Sequence, residues 1–280
     1  MNHMIAILGG DARLAELAEM LKKDGYEVCT WGLTLHNAPN PTHLERAIEA
    51  DTIVLPVPLS REKGYLNCEE RKLPLKELWA ALRPEQRIYV GNISAEDRVE
   101  ALSYGLVVQD YFTREELAVQ NAVPTAEGAI AAAMEGTRVT LHASPCLILG
   151  FGRIGKLLAH RLKGMGAEVS VSARRLEDLA WIDAFGYRAL HTNRLCGKLG
   201  EFRVVFNTVP HIVLDEALLQ ELRGDCLLIE LASRPGFDRA AAEKRGLSCI
   251  LAGGLPGKVA PESAAKAIKT TLYQMWEEAK

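Results

Sequence analysis

The sequence predicts an α/β protein with two domains, each built on a parallel sheet, joined by hinge helices. Short β-branched runs alternate with helical patterns along the whole chain. Because parallel strands need long crossover connections, this alternation predicts sheets covered by helices on both faces. The strands predicted in the first half are Met4 to Leu8, Glu27 to Trp31, Thr52 to Val57, Arg87 to Val90 and Leu106 to Val108. Those predicted in the second half are Cys146 to Leu149, Glu168 to Ser172, Val204 to Asn207, Cys226 to Glu230 and Ser248 to Leu251.

The length of 280 residues allows one or two domains, and the two series of strands favour two. We place the first domain at residues 1–123 and the second at 124–260, with a linking helix over 124–135 at the start of the second. Pro124 suits the first turn of that helix, where its missing N–H is not needed, and Gly136 is a stop signal. The amphipathic segment 261–280 predicts a C-terminal helix that packs back toward the first domain. A cleft between two such domains is the expected ligand site.

Composition excludes several classes of protein. The net charge of -3 offers no general attraction for nucleic acid or an anionic membrane. No apolar stretch reaches the roughly 20 residues that a membrane span needs, and the first residues lack a signal-peptide pattern. We therefore expect a cytoplasmic location. The six cysteines form no Cys-x-x-Cys pair, which favours reduced, mostly buried thiols and no metal site.

A glycine-rich turn follows the first strand of the second half. Gly150, Gly152 and Gly155 lie between a predicted strand and a predicted helix. In a dinucleotide-binding turn, these three glycines permit the tight bend, the approach of the pyrophosphate and close helix packing, respectively. The amides of Arg153 and Ile154 would face the phosphates from the helix N-terminus. The pattern predicts two Rossmann-like domains, of which the second binds a dinucleotide.

The end of the next strand indicates which dinucleotide is bound. An acidic residue there would accept hydrogen bonds from the adenosine ribose of NAD, but the chain has Ala173 followed by Arg174 and Arg175. Arginines favour the 2'-phosphate of NADP. The alternative is that both arginines are solvated residues at a helix start.

The other strand ends supply candidate binding residues. Asn207, Thr208, Val209 and Pro210 follow one strand and are expected under the cofactor's ribose and nicotinamide. Ser233 and Arg234 follow the next strand, where the arginine suits a carboxylate. The alternative for Arg234 is a bond to carbonyls of its own turn.

The first half offers further candidates for substrate binding. Its first strand ends in two glycines followed by Asp11 and Arg13. This turn lacks the third glycine of a dinucleotide fingerprint, so we assign it to the substrate, with Arg13 as a second carboxylate holder. The alternative for Arg13 is a surface arginine that starts a helix. Ser94 follows another strand of this half and offers a hydroxyl group. His142 and His211 are candidate acids or bases, although a structural role is favoured for each because no partner is evident.

Six segments occur together in this order: residues 9–13, 123–128, 149–155, 207–210, 231–236 and 254–261. The set resembles the family of the dipicolinate synthase A subunit of spore-forming bacteria, and the resemblance spans almost the whole chain. It implies an NADP-linked oxidation of a dihydrodipicolinate species from the lysine pathway to pyridine-2,6-dicarboxylate during sporulation. It also implies a partner, the B subunit of dipicolinate synthase, which resembles flavoproteins. The chain departs from the family pattern at two positions. Phe237 stands where relatives often have a second glycine, and His211 is not part of the family pattern.

The residues suit that chemistry. A ring with two carboxylates needs two separated anion holders, which Arg13 and Arg234 would supply. The ring loses a hydride to the nicotinamide and a proton as it becomes aromatic, so a weak base or water suffices and orientation matters most. If a side chain takes the proton, Glu127 is the candidate. Its alternative is an acid in the first helical turn that favours the helix dipole.

Two other functions stay open at this stage. Two-domain 2-hydroxyacid oxidoreductases share the layout, but they need a histidine with a carboxylate partner, and residues 253–261 contain no histidine. The chain would otherwise be an NADP-binding regulatory subunit whose partner performs the chemistry. The sequence does not identify the ring species, the need for the B subunit, the general base or the oligomeric state, including whether a homo-oligomer forms.

Overall fold

A computed structural model describes residues 4–279. The chain divides into two compact units, one of Met1–Asn121 with Pro256–Lys280 and one of Ala122–Leu255. Each unit contains one parallel sheet with helices around it. The α/β fold with two parallel sheets, predicted from the alternation of strands and helices, is confirmed. Residues 1–3 and 280, at the ends of the predicted first and last segments, lie outside the described residues.

The first unit has a five-stranded sheet with the order β2-β1-β3-β4-β5. All of its pairings are parallel. Because the order reverses between β1 and β3, the connections from these two strands leave in opposite directions, and the crevice at their carboxyl ends is where such sheets bind ligands. The strands are β1 (Met4–Leu8), β2 (Glu27–Trp31), β3 (Thr52–Val54), β4 (Arg87–Val90) and β5 (Val108–Asp110), and the helices are α1 (Ala12–Lys23), α2 (Leu44–Ala47), α3 (Leu75–Ala81) and α4 (Ala95–Ser103).

The second unit has a six-stranded sheet with the order β11-β10-β9-β6-β7-β8. Its pairings are also parallel, and its order reverses between β6 and β9. The strands are β6 (Pro145–Leu149), β7 (Glu168–Ala173), β8 (Arg188–His191), β9 (Val204–Asn207), β10 (Leu227–Glu230) and β11 (Ser248–Leu251). The helices are α5 (Glu115–Gly136), which begins in the first unit, α6 (Arg153–Gly164), α7 (Leu176–Ala184), α8 (Glu216–Glu221) and α9 (Arg239–Lys244). Helix α10 (Leu255–Val259) belongs to the first unit except for Leu255.

Helix α5 differs from the helix expected over 124–135, because it begins nine residues earlier, at Glu115. Pro124 therefore lies inside the helix, where a proline costs about 3 kcal/mol. The residues on both sides offset this cost: Leu117, Ala126 and Ala129 are fully buried. The acidic first turn, Glu115 and Glu116, also favours a helix start at that point. Burial thus outweighs the local preference of proline.

The C-terminal helix, α11 (Pro261–Glu278), packs against α1 in the first unit. Its buried face includes Ile268 and Leu272, which share a core with Leu14 and Leu17 of α1. Polar contacts fix its position, since Asp24 accepts hydrogen bonds from Lys269 Nζ at 2.7 Å and Tyr273 Oη at 2.6 Å. Near its end, Glu278 receives two bonds of 2.7 Å from Arg114. Of the helices within residues 4–279, none is both long and apolar enough to cross a membrane.

The packing of α11 makes the stability of the first unit depend on its buried leucine. We expect Leu272→Ala to lower the free energy of unfolding by about 2 to 5 kcal/mol, because the side chain is fully buried. Urea denaturation of the two variants Leu272→Ala and Gln274→Ala checks this. Gln274 is exposed on the same helix, so its change should stay within about 0.5 kcal/mol. Equal stabilities for the two variants would contradict the assigned packing.

Candidate functional site

The glycine turn after β6 has the geometry of a phosphate-binding loop. Gly150 adopts φ +97, and a Cβ at Gly150 would lie 2.6 Å from Thr208 Oγ1. A Cβ at Gly155 would clash with the carbonyl oxygen of Gly150, so α6 packs directly against the turn. Gly152 differs, since nothing lies within 4 Å of the position of its Cβ. Two glycines therefore shape the loop, and the third leaves open space beside its backbone.

The start of α6 has hydrogen-bonding capacity for an anion. Gly152 is the N-cap and provides no side-chain cap. The first intrahelical bond runs from Lys156 N to Gly152 O at 2.9 Å, so the amides of Ile154 and Gly155 precede the helical ladder. Amides in this position and the helix dipole favour a negative group at this end. The Ile154 side chain is half-buried and packs against the core, so its backbone amide is the group that a phosphate would contact.

The two arginines after β7 have different environments. Arg175 Nε and Nη2 donate to Asp178 at 2.9 and 3.1 Å, and Arg175 Nη1 lies 2.9 Å from Glu177. Its hydrogen bonds with Asp178 raise the pKa of Arg175 and lower that of Asp178. Arg174 is exposed and has no partner among residues 4–279. Of the two cations, Arg174 is thus the one available to a ligand.

A buried carboxylate organises the ends of β9 and β10. Glu230 accepts hydrogen bonds from Asn207 Nδ2 at 2.6 Å, Ala232 N at 3.0 Å and Gly236 N at 2.7 Å. Asn207 also forms two hydrogen bonds within its own turn: Nδ2 donates to Val209 O at 2.8 Å, and Oδ1 accepts from Val209 N at 3.1 Å. Gly236 is required here, because a Cβ would clash with the Asn207 side-chain amide. Glu230 therefore holds the turn after β9 and the loop after β10 together, through Asn207 and Gly236.

The contacts of Asn207 and Thr208 change the interpretation of the turn after β9. Asn207 is fully buried, and the hydroxyl of Thr208 donates to Leu149 O at 2.8 Å. Their side chains therefore form hydrogen bonds that shape the turn next to the glycine loop. Val209 is half-buried and Pro210 is exposed, so these two residues form the accessible part of the turn.

The loop after β10 presents the predicted pair of polar residues. Ser233 and Arg234 are both exposed, and Arg234 has no hydrogen bond or ion pair within the described part of the chain. The described residues show no hydrogen bond from Arg234 to the carbonyl groups of its own turn, which was the alternative role. Phe237 is buried in the core and pairs with Leu214 in an isolated bridge. Phe237 therefore anchors the end of the loop.

In the first unit, Arg13 is committed to an ion pair. Its Nε and Nη2 donate to Asp11 Oδ1 and Oδ2 at 2.9 and 2.8 Å, and Nη2 also donates to Val57 O at 2.6 Å. Burial of the Asp11 carboxyl would raise its pKa, but the hydrogen bonds and charge of Arg13 outweigh that effect and lower it. Gly257 packs closely over the pair, since a Cβ there would lie 3.0 Å from Arg13 Nε. Only Nη1 of Arg13 is free of hydrogen bonds to the described residues.

Ser94 serves as a helix cap. It is the N-cap of α4, accepts from Asp97 N at 3.0 Å and donates to Asp97 Oδ2 at 2.7 Å. The turn before it is held by Asp110, which accepts from Asn92 N at 2.9 Å and Ile93 N at 3.1 Å. A ligand would have to compete with Asp97 for the Ser94 hydroxyl.

The three candidate acids and bases are not brought together. Glu127 is exposed and lies 3.3 Å from Arg161 Nη2. Because Arg161 belongs to the last turns of α6, the carboxylate meets the side of that helix and not the loop that begins it. His142 precedes β6, at the opposite end of the strand from the glycine loop, and lies against Gly166. His211 is exposed beyond the turn after β9. Within residues 4–279, no group of three His, Cys, Asp or Glu side chains is arranged to hold a metal ion.

The acids that hold these loops are not among the residues predicted from the sequence. Glu230 and Asp110 end strands, and each receives backbone amides from a turn beside it. An acidic residue at the end of a buried strand, near a glycine-containing loop, is the signal that could have found them. Arg61, which lies 3.5 Å from Asp11 Oδ2, is also absent from the predicted set.

Known proteins match this chain over nearly its full length. Residues 4–112 match the family model of the N-terminal domain of the dipicolinate synthase A subunit. The chain is 31% identical to the dipicolinate synthase A subunit of Bacillus subtilis (strain 168), over 98% of this chain and 96% of the relative. The crystal structure of the dipicolinate synthase A subunit from Bacillus halodurans is similar with a TM-score of 0.90 and 28% identity, covering 98% of both chains.

A more distant likeness concerns the fold alone. The transhydrogenase from Sinorhizobium meliloti is similar with a TM-score of 0.72 at 13% identity, covering 98% of this chain and 94% of that one. The two-sheet architecture is thus shared with Rossmann-like dehydrogenases, as the expected fold requires. Together with the match of 31% over almost the whole length, the comparisons lead to one conclusion. The chain belongs to the family of the dipicolinate synthase A subunit.

Proposed function

We propose that this protein oxidises a dihydrodipicolinate species to pyridine-2,6-dicarboxylate with NADP as the electron acceptor, on the branch from the lysine pathway that serves sporulation. Membership of the family supports the substrate class. The observation that carries the cofactor assignment is the free Arg174 at the end of β7, beside a glycine loop whose helix has no side-chain cap. The B subunit of dipicolinate synthase is the proposed partner, and the proposed location is the cytoplasm.

The residues present fit NADP. The open space at Gly152 admits a pyrophosphate, and the amides of Arg153 and Ile154 would donate to it. Ala173 is buried and offers no carboxylate to a ribose hydroxyl, whereas Arg174 would pair with a 2'-phosphate. Arg175 contributes through its bonds to Asp178, which fix the first turn of α7. NADP, when bound, would supply the hydride acceptor.

The chain's own contribution to the reaction is to bind and orient the ring. A dihydropyridine dicarboxylate becomes aromatic by losing one hydride and one proton, and aromatisation makes the proton acidic. Arg13 and Arg234 are proposed as the holders of the substrate carboxylates, assisted by Ser94 and Ser233. Arg234 and Ser233 are exposed and therefore accessible to a ligand. Arg13 has only Nη1 without a hydrogen bond to the described residues. The hydroxyl of Ser94 would have to give up its hydrogen bond to Asp97 to bind a ligand.

The placement of Glu127 does not favour it as the general base. Its carboxylate is paired with Arg161 on the side of α6. Water is then the proposed proton acceptor, which agrees with the weak base that the chemistry needs. Effective orientation of the ring supplies the larger part of the rate.

A variant of Arg174 tests the choice of cofactor. We expect Arg174→Ala to weaken NADP binding roughly ten- to a hundredfold, because a charge-assisted hydrogen bond contributes about 1.5 to 3 kcal/mol, and to leave NAD binding nearly unchanged. Arg175→Ala is the comparison variant, and we expect it to lose less NADP affinity than Arg174→Ala, because the Arg175 guanidinium is already held by Asp178 and Glu177. Titration of each variant with both cofactors measures the effect. Equal losses for NAD and NADP would contradict the assignment of Arg174.

Two glycine variants separate cofactor binding from loop stability. Gly152→Ala should keep the folded state within about 1 kcal/mol of the original, because nothing lies within 4 Å of the new Cβ. It should nevertheless weaken NADP on the order of tenfold by occupying the space for the pyrophosphate. Gly155→Ala should instead destabilise the protein by about 1 to 3 kcal/mol, since its Cβ would meet the Gly150 carbonyl. Full NADP affinity in Gly152→Ala would refute the loop assignment.

An anaerobic assay tests the proposed activity as a whole. The purified chain receives freshly generated product of dihydrodipicolinate synthase together with NADP or NAD, and NADPH and dipicolinate are followed at the same time. Air is excluded because a dihydro ring can aromatise by itself. Equal amounts of NADPH and dipicolinate, formed much more slowly with NAD, are expected.

The other outcomes of this assay identify which part fails. Turnover that appears only after the B subunit is added would make this chain the NADP-binding half of a complex. No turnover in either case, combined with reduction of a 2-oxo acid, would favour the 2-hydroxyacid type of enzyme and reject the proposed substrate.

A further inference from the structure

A second arginine lies beside the Asp11–Arg13 pair. Arg61 Nη2 is 3.5 Å from Asp11 Oδ2, and the Arg61 side chain is 53% exposed. Both oxygens of Asp11 already accept shorter bonds from Arg13, at 2.9 and 2.8 Å. Two guanidinium groups thus share one carboxylate, and the three side chains carry one uncompensated positive charge.

Two acids in ion pairs at residues 61–63 do not neutralise this charge. Glu62, next to Arg61 in the chain, lies 2.8 Å from Lys72 Nζ. Glu96 lies 2.7 Å from Lys63 Nζ. Each of these acids therefore has its own lysine, and the Asp11 contact is the only ion pair of Arg61 within residues 4–279. The surplus charge is a local property of the Asp11, Arg13 and Arg61 cluster.

The cluster lies where a parallel sheet binds ligands. Asp11 and Arg13 follow β1, and Arg61 lies in the segment after β3, the neighbour of β1 across the reversal in strand order. Hydrogen bonds fix that segment to the end of β1. Val57 O accepts from Arg13 Nη2 at 2.6 Å, and Asn67 O accepts from Gly10 N at 2.8 Å. Within the segment, Leu59 O accepts from Asn67 N at 2.8 Å.

The free hydrogen-bond donors of the cluster belong to its two arginines. Arg13 Nη1 has no bond to the described residues. Arg61 offers the donors that its single contact of 3.5 Å with Asp11 does not use. A planar carboxylate is the anion that such guanidinium donors bind most specifically. Asp11 meanwhile keeps Arg13 in a fixed orientation.

We propose that Arg61, with Nη1 of Arg13, binds one carboxylate of a dicarboxylate substrate, so that Arg61 is the main carboxylate-binding residue of the first unit. The identity of that substrate as a pyridine-2,6-dicarboxylate precursor rests on the proposed function. Asp11 and Arg13 form the support: the buried pair holds the strand-end turn and lends one donor. Arg61 supplies the charge that the pair lacks.

Binding of two dicarboxylates tests this assignment. Calorimetric titration of the full chain, saturated with NADP, uses pyridine-2,6-dicarboxylate and the open-chain dicarboxylate glutarate as probes. Arg61→Ala should weaken pyridine-2,6-dicarboxylate about tenfold or more. Arg61→Lys keeps the charge without the planar fork and should retain part of the affinity. Lys63→Ala is the matched control, because it removes a nearby positive charge that is 87% exposed, and it should change the affinity less than about twofold.

The outcomes separate this inference from the proposed function. If the original protein binds pyridine-2,6-dicarboxylate and Arg61→Ala binds it equally well, the role of Arg61 is overturned while the function stands. If the protein binds glutarate through Arg61 but not the pyridine compound, the anion site stands and the proposed substrate fails. Binding of neither probe, or equal losses in Arg61→Ala and Lys63→Ala, overturns the inference. Melting temperatures of the variants show whether a loss of affinity comes from a loss of structure.

Discussion

The arrangement of the strand ends in the second unit depends on the buried carboxylate of Glu230. An ionised carboxylate is costly to bury unless hydrogen bonds replace its water, and Glu230 receives three, from Asn207, Ala232 and Gly236. Those bonds fix the turns after β9 and β10 at once. The turn after β9 in turn packs against Gly150, through Thr208 and Val209. The glycine loop, the neighbouring turn and the loop that carries Arg234 therefore form one connected structure.

In the first unit, acidic side chains near strand ends also accept hydrogen bonds from neighbouring turns. Asp110 accepts backbone amides of the turn after β4, and Asp11 accepts the amide and side chain of Arg13. In each case an acid near the end of a buried strand orders a neighbouring loop. Nearby residues such as Arg61 are then presented on a fixed backbone. Rigid support of this kind is what orientation of a small anionic ring requires.

Much of the fold follows from the sequence, because short apolar runs with turn signals between them are typical of buried parallel strands. Strand β8 is not predicted, since it is short and only partly buried at the sheet edge. The start of α5 is misplaced when Pro124 is taken as a boundary, whereas buried residues on both sides of the proline keep the helix continuous. The glycine loop is recognisable because each of its glycines occupies a position where a larger side chain would disturb the turn, the helix packing or the space beside the backbone.

The candidate site is less predictable from the sequence, since residue type does not reveal which side chains are already paired. Arg174 and Arg175 are equivalent as residue types, but Asp178 engages only the second. Arg61 lies in a loop without a motif, and its proximity to Asp11 depends on the tertiary contacts of residues 57–67.

NADP is proposed to bind this fold through the start of α6 and the free Arg174. A crystal structure of the protein with NADP and pyridine-2,6-dicarboxylate tests that assignment most directly. We expect the pyrophosphate at the amides of Arg153 and Ile154 and the 2'-phosphate within hydrogen-bonding distance of Arg174. A nucleotide bound elsewhere, or one whose 2'-phosphate points into solvent away from Arg174, would contradict it.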